Sequence, residues 1–151
     1  MILGSGGAAK AVASYFLDGL RYSGNLSMVG RSESGKLFSN KLNLNWITWE
    51  NLNSNLENQD LIINCTSIGY GAQKSLSPLN QTQIKMLKNA SVIFDIVYQP
   101  INTVLLKEAK DIKISTLGGI EMNLEQAVLA FGYAINLKGD YSEIREAMSK
   151  V

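Results

Sequence analysis

The chain has 151 residues, 46% of them hydrophobic and 18% charged, with a formal net charge of +1. That length suits one domain with a real core and is too short for two ordinary ones. A charge so close to neutral makes no case for nucleic acid or a membrane surface, both of which call for a basic stripe. No apolar run is long enough to span a bilayer and no charged-then-apolar leader opens the chain, so the expected compartment is the cytoplasm. Histidine is absent and Cys65 is the single cysteine, which excludes an internal disulfide, a cysteine-based metal cluster and a histidine base.

Short apolar runs alternate with helical patterns along the whole chain. Met1 to Leu3 read as a strand leading into glycines, and "GAAKAVASYFLDGL" follows as a helix with Ala9, Val12, Phe16 and Leu20 on one face. "NLSMVG" reads as the next strand. Residues 36–56 predict a weak helix, a short strand around Trp46–Ile47 and a polar helical turn. Leu61 to Asn64 form a buried strand running into a glycine-containing loop, and the polar residues 71–80 predict a surface loop beside a site. "SVIFDIVY" is another buried strand. A helix then starts at Asn102 or Thr103, "DIKISTLGG" gives the last strand, and a helix follows with Leu124, Val128, Phe131 and Ile135 on one face. This alternation predicts an α/β fold: a doubly wound, mainly parallel, Rossmann-like sheet with helices on both faces, in a single domain spanning 1–151.

The first turn carries chemistry. Gly4-x-Gly6-x-x-Ala9 fits a dinucleotide fingerprint: Gly4 for the tight turn, Gly6 for backbone approach to a pyrophosphate, Ala9 for close helix–strand packing. The N–H groups of the helix beginning near Gly7 and Ala8 would face the phosphates. The end of the second strand selects the nucleotide. A carboxylate there would favour NAD, whereas Gly30-Arg31-Ser32 with Lys36 offers a guanidinium and a hydroxyl to a 2′-phosphate. The expected cofactor is therefore NADP, with Glu33 expected to point away. Asp95 is expected to hold the loop after its strand rather than act as an acid, and Cys65 to be inert.

Together, "GSGGAAKAV", "VGRS", "INCTSIGYG", "DIVYQPINTVLLKEAK" and "GGIEMNLEQAVLAF" resemble, in order and spacing, the NADP-binding half of shikimate dehydrogenase. The resemblance implies an enzyme that reduces 3-dehydroshikimate to shikimate with NADPH in aromatic amino-acid biosynthesis. It implies a pyrophosphate cradle from Gly4 through Ser5, Gly6 and Gly7 to Ala8, and a 2′-phosphate grip by Arg31, Ser32 and Lys36, with Gly30 replacing the family's asparagine. Thr66, Ser67 and Ile68 fall in the loop beside the cofactor, with Ser67 replacing a proline. Ile96 and Gly119 fall at the nicotinamide end, and Met122 falls where a methionine packs against that ring. Tyr98 and Gln126 fall where a tyrosine and a glutamine reach the substrate, while Glu121 and Asn123 depart from the usual run.

The family's catalytic lysine and aspartate lie in an N-terminal lobe to which nothing here corresponds. The resemblance thus implies a chain that binds cofactor without turnover and shares its small-molecule substrate with a missing lobe. It also implies an exposed apolar strip along "GDYSEIREAMSK" that would favour self-association. Two other readings stay open: a non-catalytic nucleotide-binding or sensing module, and an NAD-using quinate/shikimate dehydrogenase relative.

Overall fold

The computed structural model describes residues 1–21 and 23–150. Six strands, β1 (Ile2–Leu3), β2 (Ser27–Gly30), β3 (Asn45–Thr48), β4 (Leu61–Asn64), β5 (Val92–Asp95) and β6 (Ser115–Leu117), form one sheet in the order β3-β2-β1-β4-β5-β6. Every pairing is parallel. The chain works outward from β1 in one direction, then returns to β4 on its other side. The expected doubly wound fold is thus observed, and β1/β4 is its topological switch point, where such sheets open a ligand crevice.

Alternation along the strands divides the core between the two faces. Leu3, Val29, Ile47, Ile62 and Ile93 face one way and pack with Leu105, Leu106 and Ala109 of α4 (Val104–Asp111) and with Ile84 of α3 (Gln81–Lys85). Ile2, Met28 and Ile63 face the other way and pack with Ala9 and Ala13 of α1 (Gly7–Ser14). The remaining helices are α2 (Glu33–Lys41), α5 (Ile120–Ala134) and α6 (Ser142–Met148).

Several local features depart from the sequence expectation. The first helix ends sooner than its apolar spacing predicts, because Tyr15–Gly19 widens into a π-type turn. The extra residue per turn rotates Leu20 off the packed face and leaves it exposed. The second helix begins earlier, at Glu33, because the Ser32 hydroxyl accepts the Gly35 N–H at 3.2 Å. Helix α3 begins directly after the expected 71–80 loop, in residues to which the sequence reading gave no element. A capping box builds it, with Asn80 Oδ1 accepting from Gln83 N and Gln83 Oε1 accepting from Asn80 N, each at 2.9 Å. Of the four residues that the spacing puts on one face of the last predicted helix, Val128 is buried and Leu124 half-buried, while Phe131 and Ile135 are exposed.

The C-terminal expectation also needs correction. Helix α6 packs on α5: Arg145 donates two hydrogen bonds to Glu125, at 2.7 and 2.6 Å, and the Tyr141 ring lies against Gly132. The exposed large apolar side chains lie instead on α5 and the turn after it, namely Ile120, Leu129, Phe131, Tyr133, Ile135 and Leu137. Among the described residues, no helix is long and apolar enough to cross a membrane.

Candidate functional site

The carboxyl ends of β1, β2 and β4 converge on a cleft of about 510 Å3 lined by Gly4, Ser5, Gly6, Gly30, Arg31, Trp49, Cys65, Thr66, Ser67, Ile68, Gln73 and Pro78. Gly4 makes the turn out of β1 at φ +106°, and its N–H is held by the Val29 carbonyl at 2.8 Å. A Cβ there would lie 3.0 Å from the Cys65 carbonyl oxygen, so both conformation and space require glycine. Added Cβ atoms at Gly6 and Gly7, by contrast, would meet nothing within 4 Å. Helix α1 has no side-chain cap and no acidic residue in its first turn, leaving its N–H groups directed at open space. That donor set fits a dinucleotide's pyrophosphate.

A second cavity, of about 280 Å3, opens at the exits of β2 and β3 and is lined by Gly30, Arg31, Ser32, Glu33, Lys36, Trp46, Thr48 and Glu50. The structure therefore gathers the expected Arg31, Ser32 and Lys36 in one place. Ser32 Oγ lies 3.0 Å from Ser5 Oγ, tying the two turns together. Glu33, expected to point away, also lines this cavity, together with Glu50. Glu33 belongs to the first turn of α2, where a carboxylate is favoured by the exposed helix N–H groups. Hydrogen bonds from its own backbone and from Thr48 hold the exposed Glu50 carboxyl below its ordinary range.

The wall over β4 and β5 is a hydrogen-bonded lattice. Asp95 is 0% exposed. Its Oδ1 accepts from Asn64 Nδ2 at 2.9 Å and from Val97 N at 3.1 Å, and its Oδ2 accepts from Thr103 Oγ1 at 2.7 Å. Asn64 also donates to the Ile68 carbonyl at 3.1 Å and accepts from Thr66 N and Thr66 Oγ1 at 3.0 and 2.7 Å. One buried carboxylate thus fixes both the 64–69 loop and the start of α4. Burial pushes the Asp95 carboxyl above its ordinary value, with the three donors opposing. Burial, helped by the Asp95 charge, pushes the Cys65 thiol up to about 12, which leaves it protonated and unreactive near neutrality.

The other expected residues lie outside these two cavities. Gly7 and Ala8 are exposed in the first turn of α1. Gly119, the residue before α5, abuts the Ile96 backbone so closely that a Cβ would lie 2.2 Å from the Ile96 carbonyl oxygen. Met122 is half-buried in the first turn of α5, and Gln126 is exposed one turn further along. Tyr98 is exposed beside Tyr70, their ring centroids 5.9 Å apart, and the Tyr70 hydroxyl raises the Tyr98 phenol above its ordinary value. Sequence reasoning missed Trp49 as a lining residue, whereas Gln73 and Pro78 come from the 71–80 loop expected beside a site. It also missed Gly35, where a Cβ would lie 2.4 Å from Ser5 Cβ. A glycine in the first turn of a helix, facing the phosphate turn, is the signal that could have revealed it.

No protein-family model matches the chain. It is similar to a shikimate dehydrogenase (NADP(+)) of Methanococcus maripaludis strain C6, 30% identical over 155 aligned positions covering 99% of this chain and 53% of that protein. A shikimate dehydrogenase (NADP(+)) of Nitrosopumilus maritimus is 32% identical, over 98% of this chain and 54% of the relative. The shikimate 5-dehydrogenase of Thermus thermophilus, solved in complex with NADP(H) and shikimate, superposes with a TM-score of 0.75 at 27% identity. The match covers 99% of this chain and 53% of that one. The chain spans about half the length of these relatives. Along nearly its whole length, this chain is similar to about half of proteins named shikimate dehydrogenase (NADP(+)).

Proposed function

We propose that this chain is the NADP(H)-binding domain of a shikimate dehydrogenase, which reduces 3-dehydroshikimate to shikimate. The observation that carries the reading is the pair of adjoining cavities. The phosphate turn at the β1/β4 switch point opens beside a pocket holding Arg31, Ser32 and Lys36, the complement of a ribose 2′-phosphate. When bound, NADPH supplies a hydride, and the chain's own residues supply position. Gly4, Ser5, Gly6, Gly7 and Ala8 offer backbone donors to the pyrophosphate. Thr66, Ser67 and Ile68 wall the cleft, and Ile96, Gly119 and Met122 would hold the nicotinamide end. Tyr98 and Gln126 face the substrate, which a second lobe supplying the proton donor would complete.

Calorimetric titration of the folded chain should show tighter binding of NADP than of NAD. Arg31→Ala should lower NADP affinity by about tenfold to a hundredfold, the worth of a charge-assisted contact, and leave NAD binding almost unchanged. The same sample, given NADPH and 3-dehydroshikimate, should leave NADPH unoxidised. Equal affinity for the two nucleotides would overturn the 2′-phosphate assignment, and turnover would overturn the need for a second lobe.

The exposed side chains Ile120, Phe131 and Ile135, which helical spacing puts on one face, support self-association of this chain through that face. Sedimentation should show a concentration-dependent dimer that Phe131→Ser shifts to monomer. A monomer at every concentration would refute the association.

A further inference from the structure

The chain's two indoles, Trp46 within β3 and Trp49 just after it, serve different sides of the sheet. Trp46 packs with the Ile2, Met28 and Leu44 cluster, and its ring edge occupies the space over Gly30, where a Cβ would lie 2.4 Å from Trp46 Cη2. It borders the small cavity, but the core and Gly30 engage its ring. Trp49 faces the opposite way. It is half-buried, packed against the cluster that contains Leu3, Val29 and Ile47, and it lines the larger cleft alongside Gly30 and Arg31. The turns that carry it are pinned by Leu52 and Leu56, which are 1% and 0% exposed.

Trp49 is therefore a rigid aromatic side chain backed by core and open to the cleft, with an exposed guanidinium lining the same cleft. A planar heteroaromatic base gains from both, by stacking on the indole and by contact with the delocalised cation. We propose that Trp49 is the stacking wall for the purine ring of the bound nucleotide, with Arg31 bordering the same slot and reaching the 2′-phosphate. This rests on the cofactor reading above and adds a specificity-determining residue to it. The two side chains act on different parts of the ligand. Loss of Trp49 weakens every adenine nucleotide by the same factor, whereas loss of Arg31 removes the distinction between NADP and NAD.

The test titrates the full chain with adenosine 2′,5′-bisphosphate, NADP and NAD, and follows indole emission in the wild type and in Trp46→Phe. Trp49→Leu should weaken all three ligands by about tenfold and keep the NADP-to-NAD ratio, while Trp49→Phe stays within about threefold of wild type. In Trp46→Phe, emission from the remaining Trp49 should be quenched as the bisphosphate binds. Wild-type affinity in Trp49→Leu, with emission indifferent to ligand, would overturn the stacking role and leave the cofactor reading standing. Failure of the folded wild type to bind the bisphosphate would overturn both. If Trp49→Leu does not fold, the Trp49→Phe affinities and the quenching decide: unquenched emission at saturating ligand overturns the stacking role.

Discussion

Asp95→Ala should destabilise the chain by about 3–5 kcal/mol, because it leaves three donors around a buried site at roughly 1–3 kcal/mol each, partly relieved by water. The donors are Asn64 Nδ2, Val97 N and Thr103 Oγ1, and Asp95 itself is 0% exposed. For a domain of this size, the loss corresponds to a fall in melting temperature of roughly 10 °C or more. Asp95→Asn is the informative companion. Its amide oxygen can still accept from Asn64 and Val97, and its amide nitrogen can donate to the Thr103 hydroxyl, which has lone pairs to accept it. The expected cost is about 1 kcal/mol. Equal melting temperatures for Asp95→Ala and the wild type would show that the lattice contributes nothing to stability.

The sign of the pH dependence separates charge from hydrogen bonding. Burial raises the folded-state pKa of Asp95 above its ordinary value, so the native state takes up this proton more readily than the unfolded chain. The associated stability is fully present below the unfolded pKa and is lost as pH rises through the folded one. Wild type should therefore gain stability relative to Asp95→Asn as pH is lowered from neutrality toward the ordinary carboxylate range. The exposed carboxylates held low by their partners, Asp60, Glu125 and Asp140, titrate alike in both proteins and cancel. A difference between the two proteins that does not vary with pH would mean that Asp95 titrates normally.

The sheet was legible because short continuous apolar runs and glycine exits are local signals. The strand runs ending at Gly30, Asn64 and Asp95 each lie where the sequence places them. Helix ends were less legible, because they depend on single side chains. The Ser32 and Asn80 caps decide where α2 and α3 begin, and the left-handed Asn43, Lys113 and Asn136 mark where α2, α4 and α5 stop. Which part of α5 is buried was not legible, because helical spacing shows which residues share a face, not which neighbour covers it. Arg31, Ser32 and Lys36 could be read together because they are close in sequence. Trp49 could not, since its place in the cleft depends on the strand order that puts β3 at the sheet edge and β4, whose exit residues line the same cleft, on the other side of β1. The partnership of Asp95 with Asn64 was hidden for the same reason. The two residues are paired by the β4/β5 register, not by sequence proximity.

Gly119→Ala should separate the two ends of the candidate site. Gly119 has φ −82° and ψ −4°, which alanine adopts readily, so the cost lies in contact rather than conformation. An added Cβ would lie 2.2 Å from the Ile96 carbonyl oxygen and 2.9 Å from the Val97 carbonyl carbon, both backbone atoms with no rotamer to change. One side must move. Asp95 holds the Val97 N–H at 3.1 Å and also binds Asn64 and Thr103, so the strand side is the stiffer one and the start of α5 gives way. The cost should be about 2–4 kcal/mol, in the range of core overpacking. Met122 and Gln126 ride on that helix, whereas Arg31 and Trp49 belong to β2 and β3 exits on the far side of β1. NADP affinity should therefore fall toward that of adenosine 2′,5′-bisphosphate, while the bisphosphate binds as it does to wild type. Equal losses for both ligands would mean that the substitution loosens the whole cleft. Unchanged NADP binding in a stable variant would mean that the Ile96–Gly119 contact relaxes without consequence and that the nicotinamide end lies elsewhere.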